Sequence, residues 1–351
     1  MKDIFNPYKL LNHCDCIQHM VTDNKTYPVA VEIDLTNKCN HRCVWCMFDK
    51  FKEKTPVTLE KQLVFNLLNE LQEVGVKAIT YVGGGEPTLH KDFDEIITRS
   101  YEMGFEVGLV TNGEIIDTKV DLLKKCCKFV RVSLDAGSRK THDILHKPKS
   151  NDFKKTSAIT SFGRIIKGLK KLCKDKGELV VGCGFLVHPD NFFEIPDLVN
   201  LLFMANVDYL QIRPVYMKGL TFSDKMLNEL DKMMEKALDI AKGTNLHIVA
   251  NWKRFKEFNG QEEKVAKCLA HNILSIICAD GKLYLCCQLR GNKRFELGDL
   301  HDQSFREIWE GEKRQVAINN VNMDRCPPCR YSTYNKIMDY MASERRHGNF
   351  L

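Results

Sequence analysis

The sequence predicts an α/β protein: a partial (β/α)6 TIM-like barrel over residues 29–250, an N-terminal extension over 1–28 and a smaller cysteine-rich domain over 251–351. Three observations carry this. From Val29 onward, short β-branched runs alternate with longer amphipathic segments, the pattern of repeated βα units around a parallel sheet. Residues suited to chemistry fall where those runs end. Beyond residue 250 the rhythm stops and cysteines return.

The first 28 residues show no strong period, and Cys14 and Cys16 fit no motif, so this stretch reads as an extension over one end of the barrel. Strands are predicted at Val29–Leu35, Ala78–Val82, Glu106–Val110, Phe129–Leu134, Leu179–Val187 and Asp208–Ile212. Between them lie helices such as Leu59–Val74, with Leu63, Leu67, Leu68 and Leu71 at helical spacing, and Ile159–Cys173, with Ile165, Ile166 and Leu169. Six right-handed βα units would place ligand chemistry at the C-terminal ends of the strands.

The first such end carries Cys39-Asn-His-Arg-Cys43-Val-Trp-Cys46, spaced C-x3-C-x2-C. Three thiolates are one short of a closed site. A [4Fe-4S] cluster held this way keeps one iron open, whereas structural zinc needs a fourth protein ligand, which His41 could supply. The second strand ends in Gly83-Gly-Gly-Glu-Pro87, where glycines admit a ligand to the backbone and a carboxylate can accept from an ammonium group. Thr111-Asn-Gly113 is a turn signal. The fourth strand ends at Ser133, with Asp135 facing substrate or capping a turn. The fifth runs through the core thiol Cys183 into His188, a general acid or base. The sixth ends at Arg213, a clamp for carboxylate or phosphate.

The second group of cysteines is Cys268 and Cys286, spaced C-x17-C across the hairpin turn Ala279-Asp-Gly281, then Cys326-Pro-Pro-Cys329. Four thiolates close a site completely, for iron–sulfur or for zinc, and Cys278 and Cys287 lie near enough in sequence to substitute.

Composition narrows the class. Fifteen cysteines without a signal-peptide pattern at the N-terminus suggest metal ligands and buried thiols in a reducing cytoplasm rather than a disulfide framework. No stretch approaches the ~20 apolar residues of a membrane span. A net charge of +6 admits an anionic substrate, but no basic run argues for nucleic acid.

The loop around Cys39, Cys43 and Cys46, with Trp45 before the third cysteine, resembles the signature of the radical S-adenosylmethionine (SAM) enzymes. That resemblance implies a [4Fe-4S] cluster whose open iron takes SAM, reductive cleavage to a 5′-deoxyadenosyl radical, and hydrogen abstraction from substrate. It also implies that Gly84, Gly85 and Glu86 meet the SAM amino group and that Ser133 faces its ribose. The C-x12-G-x4-C then C-x2-C arrangement, with Phe305-Arg-Glu-Ile-Trp309 where a similar helix belongs, resembles the SPASM/twitch subgroup. No cysteine follows Cys329, so the pattern is the shorter twitch form with one auxiliary [4Fe-4S] cluster, its spacing similar to enzymes of the 2-deoxy-scyllo-inosamine dehydrogenase kind.

The expected function is oxidation of a polar small molecule, a sugar, aminocyclitol or nucleotide-linked sugar. The radical carbon would lose a proton to a base, with His188 or Arg213 as candidates, and pass an electron to the auxiliary cluster. A low-potential donor such as flavodoxin or ferredoxin is implied as a partner. Alternatives are a peptide or protein modifier, an epimerase in which Cys183 or Cys278 returns hydrogen, and a non-catalytic zinc or iron–sulfur module.

Overall fold

The computed structural model describes residues 4–22, 26–48, 56–149, 159–217, 219–250, 252–256, 265–327 and 329–343. Residues 1–3, part of the segment read for a signal peptide, lie outside these, as do Pro328 inside the C-x2-C pair and residue 251, the expected domain start.

In chain order the elements are α1 (Cys14–Thr22), β1 (Ala30–Asp34), α2 (Lys61–Glu73), β2 (Ala78–Val82), α3 (Phe93–Glu102), β3 (Glu106–Thr111), α4 (Val120–Cys126) and β4 (Cys127–Ser133). Then come α5 (Arg139–His146), α6 (Ser161–Cys173), β5 (Val180–Val187), α7 (Ile195–Met204), β6 (Tyr209–Pro214), α8 (Asp224–Ala241), β7 (His247–Ala250) and α9 (Trp252–Lys256). The last are β8 (Leu274–Ile277), β9 (Lys282–Tyr284), β10 (Glu296–Asp299), α10 (Phe305–Glu310), α11 (Glu312–Asn319) and α12 (Ser332–Ala342). All six predicted strands are present within two residues at each end. A further strand, β7, pairs in parallel with β6, Tyr209 opposite His247. Its four residues are half-buried at best, so they carry no alternation by which to read them.

The chain gathers into two compact units that do not follow sequence order: Met1–Ile33 with Leu59–Ile79 and Glu262–Leu351, and Asp34–Thr58 with Thr80–Gln261. The sequence places divisions at residues 28 and 250; within the first unit β1 pairs with a strand from beyond residue 262.

In the first unit the strand order is β10-β9-β8-β1. β8 runs parallel to β1, with Ala30 opposite Leu274 and Ile33 opposite Ile277. β8 and β9 form the hairpin predicted at Ala279-Asp-Gly281: Gly281 has φ +80°, and its N–H donates to Cys278 O at 3.0 Å. α2 buries Val64, Leu67, Leu68 and Leu71. α10 is the predicted Phe305–Trp309 helix, started by a reciprocal Ser304–Glu307 capping box. The segment before residue 29, expected over a barrel end, contributes core to this unit: Leu10, Ile17 and Met20 pack with Ala270, Ile273 and Met338.

In the second unit the strands run β2-β3-β4-β5-β6-β7 in sequence order, parallel wherever registered from β3 to β7. α3, α6 and α7 follow their strands with buried faces such as Ile165, Leu169 and Leu172 of α6. The βα order brings the loops after β1 to β6 to one end of the sheet. No described helix is long and apolar enough to cross a membrane.

Candidate functional site

The loop that follows β1 in the second unit is held on several sides. Glu86 N donates to Lys38 O at 2.8 Å, and Asn112 Nδ2 donates to Asn40 Oδ1 at 2.6 Å. The end of α5 supplies the third support: Arg42 N donates to His146 O at 3.0 Å and Val44 N to Leu145 O at 2.9 Å. Helix-terminal carbonyls lack partners within the helix, so the cysteine loop satisfies α5 and α5 fixes the loop. Trp45 is buried against Leu145 and Val215.

The glycines of the loop after β2 differ in what they allow. A Cβ on Gly85 would stand 2.1 Å from Lys38 O and 2.5 Å from Asn37 C, whereas on Gly84 it would find its nearest atom at 3.5 Å. Gly85→Ala should therefore displace the backbone just before Cys39, cost about 1–3 kcal/mol and lower iron bound per chain. Gly84→Ala should leave thermal stability near wild type. Thermal melts and iron analysis of the two variants side by side check this.

Glu86 is buried, and its carboxylate accepts from Thr88 N, Thr88 Oγ1, Thr111 Oγ1 and Asn112 N at 2.6–3.2 Å. It ties the β2 and β3 loops together, which gives Thr111-Asn-Gly113 a role beyond its turn, in which Gly113 has φ +79°. Ser133 ends β4 opposite Gly184. Arg213 is half-buried on β6 opposite Leu186. His188 accepts Asp190 N–H on Nδ1 at 3.2 Å, and its ring lies 5.8 Å from that of Trp45. Burial lowers its pKa against the pull of Asp190. Since Nδ1 is an acceptor, the neutral ring carries its hydrogen on Nε2, a donor toward solvent or ligand. Cys183 is fully buried, and burial pushes its thiol well up.

Four residues beside the cysteine loop escaped the sequence reading. Glu114 is buried, with Oε2 2.6 Å from His41 Nε2 and 3.1 Å from Asn40 Nδ2, and its other oxygen pairs with Arg164. His142 and His146 lie at i, i+4 on α5, stacked at 4.7 Å with 13° between ring planes. His146 Nδ1 is 3.4 Å from Cys43 Sγ, and its Nε2 is 3.1 Å from Asp135 Oδ2, an ion pair rather than an aligned hydrogen bond. The H-x3-H spacing was the available signal, but a lone helical pair does not reveal what it faces. Asp135 thus serves His146, with φ +51° and Oδ1 accepting from Leu186 N at 2.6 Å.

Burial alone would push the Cys43 thiol up, yet the charges and hydrogen bonds of His146 and His41 hold it down at about 6. Burial opposes a charge on His146, but the Cys43 thiolate and Asp135 raise its pKa to about 10. His142, buried and beside His146, is pulled down to about 2. A low thiol pKa means a ready metal ligand.

The donor set can be tested against its two candidate occupants. Among the described residues, the one group of ligand atoms within 4.8 Å of one another is His41, Cys43 and His146, without Cys39 or Cys46. The loop therefore does not crowd its three thiols about a single ion, as zinc would require. A cubane binds each thiolate at a different corner and suits the spread set.

In the first unit a cavity is lined by Cys268, Cys286, Cys287, Cys326 and Cys329, with His271, Tyr331 and apolar Leu274 and Ile276. The thiols sense one another: burial first, then Cys268, Cys326 and Cys287, push Cys329 up to about 12. Such clustered, desolvated thiols are costly as free anions and are stabilised by a bound cation. Cys287 joins the four predicted ligands in the lining, while Cys278 sits at the foot of the hairpin and does not line the cavity. Glu32 on β1 reaches this neighbourhood, paired with Arg330 and with Arg290 Nη2 at 3.3 Å.

A parallel βα sheet with an incomplete thiol loop at a strand end, and a second thiol site in a separate unit, defines an iron–sulfur enzyme with one open centre. The radical SAM superfamily model matches residues 33–202 and an iron–sulfur cluster-binding domain model, SPASM, matches 268–331; the chain belongs to the radical SAM superfamily, SPASM/twitch subgroup. Its cofactors are SAM and [4Fe-4S] clusters. The chain is 24% identical over 355 residues to Fe-coproporphyrin III synthase of Methanosarcina barkeri, covering 89% of this chain and 83% of that protein. It is 27% identical over 306 residues to a protein named probable GTP 3′,8-cyclase of Saccharolobus solfataricus, covering 82% and 93%. Among solved structures, Streptococcus suis SuiB bound to S-adenosylmethionine matches with TM-score 0.67 and 17% identity, covering 90% of this chain and 73% of that one.

Proposed function

We propose that this radical SAM enzyme abstracts a hydrogen atom from a carbon of a polar small molecule and oxidises it, with an auxiliary cluster at the cysteine cavity as electron acceptor. One observation carries the oxidative reading: the cavity offers five thiols, enough to ligate a cluster fully. A site closed by cysteines has no open position for substrate and suits electron transfer. The named activities of these two sequence relatives, cyclisation of GTP and synthesis of Fe-coproporphyrin III, support a non-peptide substrate.

Bound at Cys39, Cys43 and Cys46, the cluster and SAM supply one-electron cleavage of SAM and the 5′-deoxyadenosyl radical. The chain's own residues orient and protect. Gly84 leaves room for SAM to approach the backbone, Gly85 and the internally bonded Glu86 hold the loops that would flank it, Trp45 shields the loop, and Ser133 stands at the neighbouring strand end. Arg213 would hold an anionic substrate group, and His188 would donate its Nε2 hydrogen to a substrate oxygen. For an alcohol, the carbon loses a hydrogen atom to the radical, the hydroxyl loses a proton to solvent, and one electron passes to the auxiliary cluster, giving a ketone. A low-potential flavodoxin or ferredoxin would supply the initiating electron.

The test is a screen of polar metabolites for 5′-deoxyadenosine release with the reconstituted enzyme, followed by stoichiometry on any substrate found. One SAM consumed per product, with product mass lowered by two hydrogens, is expected. An unchanged product mass would instead assign an epimerase. A colourless, zinc-containing protein after anaerobic purification would end the enzymatic reading.

A further inference from the structure

We propose that His146 is a positioning residue for the iron–sulfur centre of the cysteine loop: anchored by Asp135, its imidazole donates the Nδ1 hydrogen to Cys43 Sγ and so makes that centre easier to reduce. The inference deepens the reading of Cys43 as a ligand of the SAM-binding cluster and rests on it.

The geometry fixes this donor closely. The same backbone contact that docks the cysteine loop on the end of α5 sets thiol and imidazole together, since His146 O accepts from Arg42 N at 3.0 Å. The ring has little freedom to turn. His142 stacks on one face at 4.7 Å, Trp45 meets it edge-on at 5.9 Å, and His146 is 1% exposed. Asp135 is itself pinned, through Oδ1 to Leu186 N at 2.6 Å and through its carbonyl to Asn191 Nδ2 at 2.9 Å. The start of α5 is fastened as firmly, because the Glu194 carboxylate accepts from Gly137 N, Ser138 N and the hydroxyls of Ser138 and Thr141 at 2.6–3.1 Å.

Both neighbours of the imidazole are acceptors once Cys43 is a thiolate: carboxylate on one side, sulfur on the other. A carboxylate–histidine pair aimed at a metal's ligand is a device that orients and tunes a centre. Reduction adds negative charge to the thiolate ligands, so a hydrogen bond into the sulfur favours the reduced form and raises the potential.

Wild type, His146→Phe and His146→Asn would be reconstituted anaerobically. Each would be titrated potentiometrically while following the EPR signal that changes shape when SAM is added. At the potential where the wild-type centre is half reduced, the ratio of reduced to oxidised centre in H146F should fall about tenfold, equivalent to 59 mV for a one-electron couple. H146N, which keeps an N–H near the Nδ1 position, should recover at least half of that shift. An unchanged potential in iron-replete H146F, or H146N behaving as H146F does, overturns the proposal. Should H146F fail to load iron, Asp135→Asn keeps the imidazole and loosens its anchor; a smaller fall in the same direction supports the proposal and no fall overturns it. A Cys43→Ala protein that kept the SAM-responsive signal would instead sink the assignment of Cys43 as a ligand.

Discussion

Cys43→Ala should abolish 5′-deoxyadenosine formation, whereas Cys329→Ala should largely spare it and block product formation. Losing a cluster ligand exceeds the roughly 10–100-fold cost of losing an outer-shell partner, so SAM cleavage in C43A should fall at least about 100-fold. Cys43 is a loop thiol prepared to be an anion, with its pKa held at about 6 between His146 and His41. Alanine there removes the thiolate and leaves two imidazoles facing a void. Cys329 belongs to the other compact unit and is one of the four thiols assigned to the auxiliary site, so its loss removes an auxiliary ligand and leaves the cleavage of SAM intact. Chromatographic quantitation of 5′-deoxyadenosine and product in both variants decides the matter. SAM cleavage persisting in C43A would show that the loop is not the initiating site.

How far the sequence revealed this arrangement depends on the range of the interaction concerned. The six strands from β1 to β6 were legible because β-branched runs bounded by turns are a local pattern, and each loop chemistry sat at a strand end where a βα protein puts it. The hairpin at Gly281 was legible because φ +80° needs a residue without Cβ beside the His301 ring. What was not legible was pairing at long range. Nothing in Ala30–Asp34 announces that its parallel neighbour is Leu274–Ile277, and that one pairing draws the first strand into the unit of the auxiliary site. The Asp135–His146–Cys43 line joins residues from a strand end, a helix end and a loop about a hundred positions away. Its members look bland singly: an acid after a strand, a histidine ending a short helix. Glu86 shows the reverse, a residue singled out by motif whose carboxylate is found accepting from three neighbours within the protein.

Glu32→Ala should destabilise the protein by about 3–5 kcal/mol, the cost of removing one member of a buried ion pair and stranding the other. On β1, Val31 and Ile33 point to one side and are fully buried, so alternation turns Glu32 to the opposite face. There it meets Arg330, Arg290 and the Tyr331 hydroxyl, the last at 3.3 Å. Arg290 is only 5% exposed in its side chain and cannot recover its hydration if Glu32 goes. Burial alone would raise the Glu32 carboxyl, but Arg330 and Arg290 outweigh it and hold the pKa below its ordinary 4.5. The folded value being the lower one, this contribution is complete above pH 4.5 and is lost as pH falls through the folded value. The gap in stability between wild type and E32A should therefore be full at pH 7 and close in acid. Glu32→Gln, which keeps a partner for Tyr331 but no charge, should fall between them. Because Arg330 directly follows Cys329 and Arg290 lies four residues after Cys286, E32A should also lower iron at the auxiliary site more than at the cysteine loop. Denaturant melts at pH 7 and pH 4, with iron counted per chain, test both halves. A stability loss under about 0.5 kcal/mol would place the pair among surface ion pairs.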